Sequence, residues 1–307
     1  NTYQPTHRQA KNFQAVFSQG HAEFKRHDEG FETRTEVVVS PEDDIEMRRV
    51  RITNRNQARK ILEITSYAEV VLASPAADAA HPAFSNLFVQ TEIVPNQPVI
   101  MCTRRPRSKT EQPPWMFHLM TVQDAEVQEV SYETDRMQFI GRGNTTNNPR
   151  VIKDSVALSG SDGPVLDPIV SIRYRLLLKP GQSAVVDMVI GIGDSREVCT
   201  GLMAKYQDRN LKNRAFEMSW THSQVILRQI NATEADAQLY NRIASSIIFA
   251  NPILRADTAV IKSNFRGQSG LWSYSISGDI PIVLLHVHDS ENISMVKQLV
   301  QAHAYWK

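Results

Sequence analysis

Val170-Ser171-Ile172-Arg173-Tyr174-Arg175-Leu176-Leu177-Leu178-Lys179-Pro180-Gly181-Gln182-Ser183-Ala184-Val185-Val186-Asp187-Met188-Val189-Ile190-Gly191-Ile192 decides how this chain is read. Two runs rich in β-branched and aromatic residues flank a Pro-Gly turn, which predicts a hairpin. The same pattern extends back to about Asn12 and forward to Gly193. Ile45-Glu46-Met47-Arg48-Arg49-Val50-Arg51-Ile52-Thr53 alternates like a half-buried strand, and Ile61-Leu62-Glu63-Ile64-Thr65-Ser66-Tyr67-Ala68-Glu69-Val70-Val71-Leu72 follows across an Asn54-Arg55-Asn56 turn. No helical period interrupts this region, so its strands must bury their faces on one another. A large antiparallel sandwich is the economical architecture. Residues 74–82 and 104–115 exceed ordinary hairpin connections and read as recognition loops or ordered surface crossings.

At Asp194 the period changes to that of a helix. Asp194 or Ser195 can cap a helix running to about Asp208, and Asn210 opens a second that carries Phe216, Trp220, Val225 and Leu227. Thr233-Glu234-Ala235-Asp236 caps a third, whose stripe of Leu239, Ile243, Ile247 and Ile248 stops at Asn251-Pro252. A last helix starts near Glu291, with Ile293, Val296, Leu299, Val300 and Ala304 on one face. That apolar face has few partners, which predicts an α-helical domain cut short. The absence of an initial Met adds to the expectation of a piece from a larger protein.

With 34 Lys and Arg against 33 Asp and Glu, the formal charge is +1 and offers no field to draw nucleic acid or an anionic membrane. Cys102 and Cys199 have no metal or redox spacing and read as buried thiols in a reducing compartment. No stretch approaches the ~20 apolar residues of a spanning helix, and the first residues show no charged, apolar, small-residue signal pattern.

Between the last two helices lies Arg266-Gly267-Gln268-Ser269-Gly270-Leu271-Trp272-Ser273-Tyr274-Ser275-Ile276-Ser277-Gly278-Asp279-Ile280-Pro281. Pyranose recognition needs aromatic faces for C–H edges and carboxylate, amide or guanidinium groups for hydroxyls. Arg266, Gln268, Trp272, Tyr274 and Asp279 supply that mixture, although Gly/Ser/Trp loops also serve as plain connectors. His286-Val287-His288-Asp289 could set two imidazoles on one strand face, but no third metal ligand is apparent, so no metal is expected. Asp43 and Asp44 read as solvated turn residues. Arg104, Arg105, Arg107 and Lys109 read first as solvated charge, with phosphate or an acidic partner as the alternative and Trp115 as a sugar contact nearby. Nucleotide, zinc-protease and serine-hydrolase motifs are missing.

These stretches resemble one family. The 266–281 loop, together with Glu36-Val37-Val38-Val39-Ser40-Pro41-Glu42-Asp43-Asp44, His81-Pro82-Ala83-Phe84-Ser85-Asn86-Leu87-Phe88, Arg104-Arg105-Pro106-Arg107-Ser108, Asn231-Ala232-Thr233-Glu234-Ala235-Asp236-Ala237-Gln238 and Gln298-Leu299-Val300-Gln301-Ala302-His303-Ala304-Tyr305-Trp306, is similar in order to the phosphorylase-like C-terminal region of bacterial cyclic β-1,2-glucan synthases. These belong with the inverting β-glucoside phosphorylases of glycoside hydrolase family 94, formerly glycosyltransferase family 36. The resemblance implies a galactose-mutarotase-like β-supersandwich at 1–193, a helical linker at 194–231 and the incomplete start of an (α/α)6 barrel at 232–307. It implies a glycosyltransferase or inverting phosphorylase acting on β-glucan oligosaccharide, with inorganic phosphate as co-substrate and no other cofactor. Asp279 matches the family's acceptor for hydroxyls of the non-reducing-end glucose. Ser273 and Tyr274 stand where the cellobiose-type pattern has an arginine, so the full set of hydroxyl contacts is open. The general acid is expected after Lys307, leaving no catalytic residue in this chain. The resemblance also implies the cytoplasmic side of a bacterium, admits an inner-membrane parent and is compatible with a homodimer. A non-catalytic glucan-binding or dimerisation module is the alternative.

Overall fold

The computed structural model describes residues 6–154, 157–249 and 252–307; the expected helix stop at Asn251 lies outside the described residues. Contacts divide the chain into two compact units, 1–220 and 221–307.

In the first unit the strands are β1 (Asn12–Ser18), β2 (His21–Asp28), β3 (Phe31–Val39), β4 (Ile45–Asn54), β5 (Lys60–Thr65), β6 (Ala68–Glu69), β7 (Val89–Ile93), β8 (Val99–Arg104), β9 (Trp115–Gln123), β10 (Glu126–Asp135), β11 (Pro168–Leu178) and β12 (Ser183–Gly193). They form an eight-stranded sheet, ordered β1-β2-β3-β4-β12-β9-β8-β7, and a smaller sheet ordered β10-β11-β5, with β6 pairing β11. The expected sandwich is therefore present, and all its named pairings are antiparallel.

The expected hairpin at 170–192 is not formed, and the runs on either side of the 54–56 turn also part. β11 pairs with β10 and β5, whereas β12 pairs with β4 and β9, so the 179–182 turn crosses from one sheet to the other. Pro180 precedes Gly181 at φ +73°, the signature of a type II turn, whose twist splays strands apart instead of pairing them. Ile172, Tyr174 and Leu176 of β11 consequently face Ala184 and Val186 of β12 across one apolar core. β4 and β5 part company in the same way. Both crossings meet at Asn54, wholly buried, whose amide donates to Ala58 O at 2.9 Å and Leu178 O at 3.1 Å. The run expected over 61–72 is also broken at Ser66-Tyr67, between β5 and β6.

Four short helices interrupt the region read as free of them: α1 (Pro75–Ala80), α2 (Pro82–Asn86), α3 (Arg136–Ile140) and α4 (Arg150–Lys153). At four to six residues each, they are too short to show a period. The 105–114 segment between β8 and β9 contains no helix or strand.

The other face of the large sheet is covered by α5 (Arg196–Gln207) and the start of α6 (Arg209–Gln229), where Cys199, Met203, Tyr206 and Ala215 pack on Met47, Met101, Phe117 and Leu119. Ser195 caps α5, accepting from Val198 N at 3.3 Å. Beneath α6, Asp187 takes two bonds from Arg49 at 2.6 and 3.2 Å and an ion pair from Lys212 at 3.1 Å. Lys212 also donates to Thr121 Oγ1 at 2.7 Å. Both cysteines are buried and free.

The second unit holds α7 (Glu234–Ile248), α8 (Thr258–Lys262) and α9 (Ile293–Trp306). Thr233 and Asp236 form the expected capping box on α7. The Tyr240 ring of α7 packs, tilted by 52°, at 5.7 Å from that of Tyr305 of α9, and the Tyr240 carbonyl accepts from Trp306 Nε1 at 3.0 Å. Among the described residues no helix is long and apolar enough to cross a membrane.

Candidate functional site

The 266–281 loop is ordered by its own polar groups. Gly267 precedes a 3-10 turn, Gln268–Tyr274, which ends because Ser275 adopts a left-handed φ of 59°. The chain then doubles back, with Ile276 N donating to Leu271 O at 3.3 Å. Gly278, at φ +74°, lets the backbone lie against Gln268, and a Cβ there would meet Gln268 Cγ and Leu271 Cδ1 at 3.0 Å.

Three of the expected residues are thereby joined. Gln268 Nε2 donates to Asp279 Oδ1 at 2.7 Å and to Ser277 O at 2.8 Å, so both its amide hydrogens are used. Trp272 Nε1 donates to the same Ser277 carbonyl at 3.3 Å. Its indole and the Tyr274 ring stay largely solvent-exposed. Asp279 is thus aimed by an amide, with its second carboxylate oxygen available to hydroxyl donors. Arg266 and Tyr274 make no side-chain hydrogen bond to this brace; the Arg266 stem lies beside Gly270. Sequence reading missed Ser277 and Gly278, which set the return of the loop; the Ser-Gly pair before Asp279 was the available signal.

The remaining candidates fall elsewhere. His286 Nδ1 and His288 Nε2 approach to 3.0 Å, but in a segment that is not a strand. Among the described residues no three His, Cys, Asp or Glu side chains are grouped to hold a metal. Asp43 is not the solvated turn residue expected: it accepts from Lys205 Nζ at 2.6 Å and Tyr206 OH at 2.5 Å. Burial pushes its carboxyl pKa up, but those bonds and the Lys205 charge leave it below the usual range. Arg104 departs from the solvated-charge expectation as well, being 9% exposed and donating to Val71 O and Ser85 O. Trp115 is half-buried at the start of β9, under the Arg196 guanidinium.

Comparison with known proteins adds to this geometry. The chain is 32% identical over 289 residues to cyclic beta-(1,2)-glucan synthase NdvB of Rhizobium meliloti (strain 1021), covering 94% of this chain and 10% of that protein. It is 22% identical over 176 residues to solabiose phosphorylase of Paenibacillus borealis, covering 57% of this chain and 22% of the relative. Among solved structures, a bacterial glucoamylase complexed with acarbose is similar over 74% of this chain and 31% of its own, at 8% identity and a TM-score of 0.44. The chain therefore spans about a tenth of the first of these curated relatives and under a quarter of the second. The model of the glycosyl hydrolase 94 supersandwich domain matches residues 1–209, and on that match the chain belongs to the glycosyl hydrolase 94 family.

Proposed function

We propose that this chain supplies the sandwich, residues 1–193, the helical linker, 194–231, and the first part of an (α/α)6 barrel, 232–307, of a bacterial enzyme acting on β-1,2-glucan. The family is carbohydrate-active, and the relatives include a cyclic glucan synthase and a phosphorylase. The proposed reaction is inverting phosphorolysis, or control of chain length, with inorganic phosphate replacing the water of an inverting hydrolase. On it the enzyme works at the cytoplasmic face, pairs as a homodimer, and receives its general acid from outside residues 1–307.

The observation that supports a sugar subsite at 266–281 is the amide-braced carboxylate beside two exposed aromatic faces: Gln268 to Asp279 at 2.7 Å, with Trp272 and Tyr274 alongside. A carboxylate accepting from hydroxyls contributes about 1.5–3 kcal/mol per bond, so Asp279→Ala is expected to weaken β-1,2-oligoglucan binding by roughly ten- to a hundredfold. Calorimetric titration of the chain measures this. Undiminished binding by Asp279→Ala would remove the loop from the site. Incubation with oligoglucan and phosphate provides the second readout, and glucose 1-phosphate released by these 307 residues alone would overturn the placement of the acid elsewhere.

A further inference from the structure

Phe88 gathers three arginines. The guanidinium carbons of Arg104, Arg105 and Arg107 lie 5.9, 5.4 and 5.3 Å from its ring centroid, within cation–π range. Arg104 is spent, because Val71 and Ser85 carbonyls hold it at 2.8 and 3.0 Å. Arg105 and Arg107 are exposed, and neither guanidinium has a hydrogen bond or ion pair among the described residues. Their loop is nevertheless built. Arg105 N donates to Phe88 O at 2.7 Å, Glu111 N donates to Ser108 O at 3.3 Å, and the Glu111 carboxylate accepts from Arg107 N.

Burial, and then the charge of Arg107, hold the Arg104 guanidinium below its ordinary pKa, while Glu111 and Asp78 act in the opposite sense. Arg104, Arg105, Arg107 and Lys109 still outnumber those two acids. Like charges held around one ring repel, and an anion between them turns that repulsion into attraction. We propose that Arg105 and Arg107, beside the Phe88 ring and the anchored Arg104, bind a small oxyanion of the phosphate class. Each guanidinium presents a planar fork of N–H donors, the geometry that suits several acceptor oxygens on one centre. The Phe84 ring, 5.2 Å from Phe88 and 50% exposed, adds an apolar face beside the forks, so a sugar phosphate and free phosphate share the chemistry.

The test is calorimetric titration of the chain at low ionic strength with inorganic phosphate and, separately, glucose 1-phosphate. Saturable binding is expected, weakened about tenfold or more by Arg105→Ala/Arg107→Ala and little changed by Lys109→Ala. Arg105→Lys/Arg107→Lys, which keeps charge and loses the forks, is expected to weaken binding too, and far-UV circular dichroism checks that each variant folds. Equal affinity for the two ligands assigns the site to the oxyanion alone. Tighter sugar phosphate binding that reverts in Phe84→Ala assigns the apolar face to the sugar. Absence of saturable binding by either ligand, or unchanged affinity in the arginine-to-alanine pair, overturns the proposal.

Discussion

His118 lies inside the sandwich, 2% exposed, and its Nε2 is 2.7 Å from Ser66 Oγ on the facing side. That hydroxyl also accepts from Ile172 N at 2.9 Å and lies 3.3 Å from Ile172 O. The imidazole thus has one hydrogen-bond partner at Nε2, and its buried Nδ1 has none. Burial, and secondarily the charge of Arg48, lower the pKa to about 4 from the ordinary 6.5. The folded state therefore takes up its proton later than the unfolded chain does. Stability from this group is complete above pH 6.5 and is lost as pH falls toward 4, by about 3 kcal/mol. Urea unfolding between pH 6.5 and 5, where most carboxylates remain charged, should show the decline, and His118→Gln should flatten it. Asp187 gives a sharper expectation. Asp187→Ala would leave Lys212, wholly buried, facing Arg49 without an anion, at a cost of about 3–5 kcal/mol in the same assay.

Among elements, the caps were legible because they are local: Ser195 before α5 and Thr233 with Asp236 at α7 each act within three residues of themselves. Ser195→Ala should lower unfolding stability by about 1 kcal/mol, read from the denaturation midpoint. The sandwich class was legible from alternation for the same reason. Sheet membership was not, since alternation states which face of a strand is apolar and is silent on which neighbour the strand joins. The same limit hid the fates of Asp43 and Arg104, whose partners come from α5 and from the 71–85 region. In the candidate site, the types of Gln268, Trp272 and Asp279 were readable, but the brace among them depends on the left-handed Ser275 and Gly278. Close packing sets a further test at β12. A Cβ at Gly191 would overlap the Phe117 ring, so Gly191→Ala should cost about 1–3 kcal/mol, with a lower thermal midpoint as readout.

At the scale of the molecule, the two units differ in how they treat apolar surface. The first encloses its core on both faces of the large sheet, whereas the second leaves Phe265, Ile253 and Leu284 at 93%, 90% and 87% exposure. Exposed apolar surface is what hydrophobic dyes bind. Fluorescence of a hydrophobic dye should accordingly be stronger with residues 1–307 than with 1–220, and equal signals would contradict this. The corner at Asn54 has another consequence. Because β4 pairs with β12 and β5 with β11, one long two-stranded ribbon, folded over at that corner, supplies part of both sheets. Its strands meet at Thr53 and Ser183, hydrogen-bonded at 2.7 Å across 130 positions of sequence. A ribosome adding roughly 5–20 residues per second needs on the order of 6–26 s to deliver the second strand after the first. Through that interval β5 lacks its partner β11 and β4 has β3 on one edge alone, so the nascent chain is exposed to mispairing until residues 168–193 emerge.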